Sequence, residues 1–289
     1  MNGVLAAVVS SALGGSAAAL TRYMIGASDP VTLAAFRFGI GFVLLLPVAL
    51  LLRSRFPQGK DRLAVAALGI LFFALFFFLY NIAMSFTTAA RGSLALSVLP
   101  LTTMIVAALF GREALTQRKT LGVLIAIAGA ALALSVGLRD APEGAWRGDL
   151  IMAAATICMA LYNVWSRPLM VRSSMLGFLA FGMGFGSAAS VLLAWFAGGF
   201  DAVQNFNAGQ WIALLCLGIF GGAAAFYLWV YALERTTPTR VANTMTVNPI
   251  AASLLAAVLI GEPLGLHLAF GVVAVAAGIW FASSQPRQR

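Results

Sequence analysis

The sequence predicts an all-α integral membrane protein of ten transmembrane helices, built as two inverted five-helix repeats. Three observations predict it. Charges are too few for a water-facing surface, apolar stretches of bilayer length recur along the chain, and the second half repeats the first at a fixed offset.

Of the 289 residues, 62% are hydrophobic and 9% are charged. A soluble domain carries about 45–50% apolar and about 25% charged residues. The net charge of +9 would suit a nucleic-acid partner if it formed one patch. Here Lys and Arg lie between apolar stretches, so they read as topology signals. The bilayer is the expected partner, and nucleic acid is not. Cys158 and Cys216 fall inside apolar stretches with no Cys or His at ligand spacing, and read as buried small hydrophobes. No metal or other cofactor is expected. Met1-Asn2-Gly3 lacks the positive start of a signal peptide, so the first apolar stretch is expected to remain as a helix.

A helix needs about 20 apolar residues to cross a hydrocarbon core about 30 Å thick. In the first half such stretches run at 3–25, 31–52, 63–85, 88–110 and 120–138. In the second they run at 148–170, 174–198, 209–232, 237–260 and 265–284. The predicted halves are therefore 3–138 and 148–284, joined by a polar linker at 139–147 that contains Arg139, Asp140, Pro142, Glu143 and Arg147.

Orientation follows from the basic residues. With a cytoplasmic N-terminus, the cytoplasmic side receives Arg53, Arg55, Lys60, Arg62, Arg112, Arg118, Lys119, Arg167, Arg172, Arg235, Arg240, Arg287 and Arg289. The far side receives Arg22, Arg91, Arg139 and Arg147. That bias places both termini in the cytoplasm.

The repeat aligns residues 68–135 with 217–284 without a gap. Thr87-Thr88 falls on Thr236-Thr237, Arg91 on Arg240, Pro100 on Pro249, Glu113 on Glu262 and Gly129 on Gly278. Five helices is an odd number, so the second half must cross the bilayer upside down. Inverted repeats of this kind recur in secondary transporters, with the substrate site near the midplane between them.

The chain also resembles the EamA family of the drug/metabolite transporter superfamily. The resemblance rests on the stretch S-D-P-V-T-L-A-A-F-R-F at 28–38 and on two matching series, Pro100, Glu113, Gly122 and Pro249, Glu262, Gly271. It covers nearly the whole chain and implies a carrier of small metabolites, most similar to bacterial exporters of amino acids. One departure is Gly14-Gly15 in the first helix, where the family often has Trp-Gly.

Polar residues inside the spans are the candidates for binding. The ninth span is the most polar, and at helical spacing Thr239, Asn243 and Thr246 share a face while Thr237, Thr244 and Asn248 share another. Pro249 has no N–H to donate, which is expected to free the carbonyl of Met245. Pro100 is expected to do the same for Leu96 in the fourth span, beside Ser93 and Ser97. Tyr80 and Asn81 in the third span and Tyr162 and Asn163 in the sixth complete the set. Each has a second reading. Thr, Ser and Asn also bond helix to helix, and tyrosines also anchor at interfaces. Trp229 and Tyr231 are expected in an interfacial belt, and Arg37 is expected to snorkel outward, the other reading being contact with a substrate carboxylate.

No Asp or Glu falls at mid-span, which disfavours a carboxylate-coupled pump. Glu113 and Glu262 are expected to cap or tie helix ends, and His267 to be structural. An enzyme would need a convergent nucleophile, base or metal cluster, which cannot be assembled here. The expectation is a monomeric exporter in the bacterial inner membrane, working by alternating access with a cavity between helices 1, 3, 4, 6, 8 and 9. Its substrate is a small neutral or zwitterionic metabolite, amino acids above all. Nucleotide sugars or drugs are the alternative cargo, and a scaffold without flux is the alternative role.

Overall fold

The computed structural model describes residues 2–24, 27–86, 95–133, 143–251, 254 and 266–283. Every long element among them is helical, in the order α1 (Gly3–Met24), α2 (Pro30–Leu51), α3 (Lys60–Gly69) and α4 (Phe77–Phe86). Then come α5 (Leu99–Leu109), α6 (Gln117–Ala133), α7 (Ala145–Arg172) and α8 (Met175–Phe196). The chain continues with α9 (Ala208–Cys216), α10 (Ala225–Arg235), α11 (Pro238–Asn243) and α12 (Leu266–Ser283). A π-helical segment, Ile70–Phe76, joins α3 to α4, and a second, Leu217–Ala224, joins α9 to α10.

Five of these rods are long and apolar enough to cross a membrane: Pro30–Leu51, Lys60–Ala83, Ala145–Arg172, Met175–Phe196 and Ala208–Arg235. Shorter apolar helices include Gly3–Ala17, Leu99–Leu109 and Phe270–Ala282. Large apolar side chains such as Leu51, Trp195, Phe196 and Val273 point outward, which hydrocarbon tolerates and water does not.

Helix starts are set by local chemistry. Asp29 caps α2, its Oδ1 accepting from Val31 N at 2.9 Å and Thr32 N at 3.0 Å, with Pro30 in the first turn where no N–H is needed. Asn207 and Gln210 form a reciprocal capping box at α9, and the Ser174 hydroxyl caps α8.

With no hydrophobic drive between helices in lipid, close approach at small residues holds them. A Cβ on Gly69 would lie 2.1 Å from the carbonyl oxygen of Gly182, fixing α3 against α8. Between α6 and α12, Gly129 lies against Ala274 and Val275, while Gly278 lies against Gly122 and Ala126. Gly129 and Gly278 are matched by the repeat, and each sits against the helix of the other. The two π segments also fall at matched positions, since the same offset aligns Ile70 with Ile219 and Ala74 with Ala223. A π turn carries one residue more than an α turn and is found often at functional positions.

The sequence bounds agree with the helix ends to within a few residues where both exist. Residues 139–142, Ser93, Arg91 and Glu262 lie outside the described residues. Cys158 is buried as expected, but Cys216 is only half-buried, and both are free thiols.

Candidate functional site

α1 runs between the second π rod and α11. The Ser10 hydroxyl donates to the Ala225 carbonyl at 2.6 Å, and Ser11 Oγ lies 2.9 Å from Thr244 Oγ1. Gly14 and Gly15 face Asn248, where a Cβ on Gly15 would lie 2.3 Å from the Asn248 carbonyl oxygen. Backbone packing thus requires glycine at position 15, whereas a Cβ at position 14 would meet only the Asn248 side chain at 3.4 Å.

Both proline-bearing helices are interrupted at matched positions. Ser97 and Val98 form a turn before α5, in which Pro100 occupies the first turn. Thr244–Val247 is a 3-10 turn that follows α11 and precedes Pro249. The repeat pairs Ser97 with Thr246. The expectation of a free Met245 carbonyl needs correcting, because the tightened turn lets it accept from the Asn248 backbone N–H. Local 3-10 geometry re-satisfies a carbonyl that proline would otherwise leave open.

Asn243 ends α11 at this break and is fully buried. Neither its Oδ1 nor its Nδ2 has a hydrogen-bond partner among the described residues. The Thr246 hydroxyl, also buried, donates to the Asn243 carbonyl at 2.7 Å. Thr239 lies one turn earlier, in the first turn of α11, with its backbone N–H donated to Glu113 Oε1 at 2.9 Å. Its own hydroxyl lacks a partner among the described residues. Glu113 also pairs with Lys119 at 2.8 Å, so it caps α11 and ties two helix ends. Ser97 is buried.

A second cluster joins the π segments. Tyr162 is buried and stacks on Phe72 with ring centroids 4.3 Å apart, and Phe72 meets Phe226 edge-on at 5.4 Å. The Tyr162 hydroxyl has no partner among the described residues. Asn163 Oδ1 accepts from the indole Nε1–H of Trp229 at 2.9 Å, both side chains being buried. Trp229 therefore belongs to the interior and not to an interfacial belt. Tyr80 is half-buried against Phe76 and Phe77. Asn81 sits apart, its Nδ2 donating to the Pro30 carbonyl at 3.1 Å and tying α4 to the start of α2.

Arg37 does not snorkel outward. Its Nε and Nη2 both donate to the Gly221 carbonyl, at 3.0 and 2.7 Å, and its guanidinium lies near the rings of Phe38, Phe77 and Phe226. Phe72 thus joins the cluster although the sequence did not single it out, and the lone arginine in an apolar span was the available signal.

A groove of about 650 Å³ opens between the start of α1, the Arg235–Arg240 turn and α12. It is lined by Val4, Val8, Arg240, Ile250, Val275 and Trp280 among others, and by none of Asn243, Tyr162 or Arg37. The unpaired polar atoms of Asn243, Tyr162 and Asn163 therefore lie outside this groove.

Stacked apolar rods with polar groups buried between them make a multi-pass membrane protein. The chain belongs to the EamA-like transporter family, whose model matches residues 1–135 and again 146–284. It is 31% identical over 264 residues to an uncharacterized protein of Pseudomonas aeruginosa, covering 88% of this chain and 84% of that one. It is 22% identical over 268 residues to the uncharacterized transporter YyaM of Bacillus subtilis, covering 91% and 88%. It is 26% identical over 243 residues to a probable terminal-alkyne amino-acid exporter of Streptantibioticus cattleyicolor, covering 83% and 80%. A solved structure shares the fold at a TM-score of 0.78 and 22% identity, over 97% of both chains.

Proposed function

We propose that this transporter exports small neutral or zwitterionic metabolites, amino acids above all, by alternating access. In this reading ten helices span the inner membrane as two inverted halves, 3–138 and 148–284, with both termini cytoplasmic. The protein acts as a monomer, without catalysis and without a nucleic-acid partner.

The observation that carries the reading is Asn243. Among the described residues neither atom of this buried amide is paired, which costs about 1–3 kcal/mol for each polar group left unsatisfied and which a substrate's polar group would offset. Asn243 ends α11, which packs against α5, a helix of the span that the repeat pairs with its own, and inverted-repeat carriers bind between their repeats. In this reading Thr246, Thr239, Pro249, Ser97 and Pro100 line the site with it, and Tyr162, Asn163 and Tyr80 add aromatic and amide surface. Asn81 stands at the margin of this site. The amino-acid exporter among the relatives supports the cargo class.

The test is uptake of radiolabelled leucine and phenylalanine into proteoliposomes by the wild type and Asn243→Ala. Saturable uptake that weakens roughly threefold to tenfold in the variant, with its unfolding temperature nearly unchanged, is the expected result, since a neutral hydrogen bond contributes about 0.5–1.5 kcal/mol. A stability loss with affinity intact would remove Asn243 from the site. No uptake of any amino acid would overturn the cargo class. Reporter fusions at Asp201 and Ser283 should report opposite sides of the membrane, and the same side for both would overturn the topology.

A further inference from the structure

Arg37 is the eighth residue of α2. At about 1.5 Å per residue its Cα lies about 10 Å along the helix, inside a hydrocarbon core about 30 Å thick. Among the described residues the ion pairs are Lys119–Glu113, Arg172–Asp61 and Arg235–Glu234, and none involves Arg37. There its charge is met by the Gly221 carbonyl and by three ring faces, with the guanidinium carbon 5.0 Å from the Phe77 centroid, 5.4 Å from Phe38 and 5.7 Å from Phe226. Ring faces stabilise a cation without neutralising it. Ionisable side chains this deep are costly, and they mark substrate and ion pathways.

The hydrogen bonds described leave part of the guanidinium's donor fork unused. A guanidinium has five N–H donors in a planar fork. The Gly221 carbonyl takes the edge formed by Nε and Nη2, which leaves the edge formed by Nη1 and the second Nη2 hydrogen. Two parallel N–H groups on one edge match the two oxygens of a carboxylate. A Cβ on Gly221 would lie 2.6 Å from the Ala17 Cβ, so close packing against α1 keeps the π segment bare beside the carbonyl that Arg37 reaches. The repeat places Phe72 at the position of Gly221, and Phe72 stacks on Tyr162 instead. The cation therefore has no twin in the first π segment, and the site it makes is one-sided.

We propose that Arg37 binds the carboxylate of the transported substrate, with the rings of Phe77 and Phe226 against the substrate's apolar part. This deepens the reading of a zwitterionic cargo and rests on it. The cargo class narrows to small carboxylates, and amines or amides of the same side chain are excluded. If Arg37 served only to tie α2 to the π segment, removing it would lower stability and leave the choice between acid and amide unchanged.

The experiment uses the full-length protein in detergent and in proteoliposomes, with phenylalanine, phenylacetate and phenylalaninamide as probes. Thermal stabilisation gives apparent affinities. On the wild type, phenylalanine and phenylacetate are expected to bind at least about tenfold more tightly than phenylalaninamide, as a charge-assisted bidentate pair should discriminate. In Arg37→Gln that ratio falls to about one, since the fork is gone. In Arg37→Lys, a point charge without the fork, it falls part of the way. Equal binding of acid and amide by the wild type overturns the proposal, as does a ratio that survives in Arg37→Gln or a wild type that binds no carboxylate probe. Should Arg37→Gln fail to fold, the wild-type ratio and Arg37→Lys decide. Phenylacetate binding that depends on Arg37, without uptake of any amino acid, would keep this assignment while rejecting the amino-acid cargo.

Discussion

The indole N–H of Trp229 donates to the side-chain oxygen of Asn163 at 2.9 Å, across the contact between α10 and α7. Both residues are buried, and the Asn163 Nδ2 has no partner among the described residues. Trp229→Phe leaves the Asn163 oxygen unpaired as well, at a cost of about 1–3 kcal/mol. Thermal unfolding in detergent should show the loss. Adding Asn163→Leu removes the orphaned amide and should recover part of it. If the double variant is as unstable as the sum of the single ones, the two side chains are not coupled.

The apolar stretches at 31–52 and 174–198 forecast α2 (Pro30–Leu51) and α8 (Met175–Phe196) closely, because hydrocarbon length and few charges are properties of composition. Glu113 was also legible, since an acid beside an apolar span has few places to go but a helix end. The π segments were not, because one extra residue in a turn leaves no mark in an already apolar run. Arg37 was visible as a residue but not as a direction. Only packing decides whether a long side chain reaches the interface or a bare glycine carbonyl. The bonded Met245 carbonyl was not legible, because proline's missing N–H is written in the sequence and the 3-10 turn that compensates for it is not.

Gly69 and Gly182 pack against each other yet should respond to alanine in opposite ways. A Cβ on Gly69 meets the Gly182 carbonyl oxygen at 2.1 Å, a backbone atom that cannot move without shifting α8. Gly69→Ala is expected to destabilise by about 1–3 kcal/mol, as overpacking does. A Cβ on Gly182 has nothing nearer than the Val65 carbonyl oxygen at 3.5 Å, an ordinary contact. Gly182→Ala should be neutral or stabilising by up to about 1 kcal/mol, through helix propensity. Unfolding temperatures of the two variants decide, and a reversed order would mean that α3 and α8 are not packed in this register.

Glu113 should matter through the helix it caps. Its Oε1 accepts from Thr239 N, its Oε2 from Lys119, and its side chain is only 4% exposed. Glu113→Ala removes the cap and leaves the mostly buried ammonium of Lys119 unpaired. Loss of the cap alone costs about 0.5–2 kcal/mol. Glu113→Gln keeps an acceptor oxygen and should cost less. Should the two variants lose equal stability, the carboxylate is not acting as this cap.

Transport should not require a proton gradient. Among the described residues, every acid stands at or near a helix end or in a turn: Asp29 precedes α2, Asp61 begins α3, Glu113 follows α5 and Glu143 precedes α7. Asp149 lies in the second turn of α7, Asp201 in a 3-10 turn, and Glu234 next to the last residue of α10. Proton relays through membranes are built from intramembrane acids and histidines, and a carboxylate bound by a permanently charged arginine needs no proton to enter. Phenylalanine uptake driven by its own gradient should therefore proceed at nearly the same initial rate with equal pH on both sides as with an imposed difference. Collapse of uptake when the pH difference is abolished would refute this, and would direct attention to His267 in α12 or to a helix-end acid as carrier of the coupled proton.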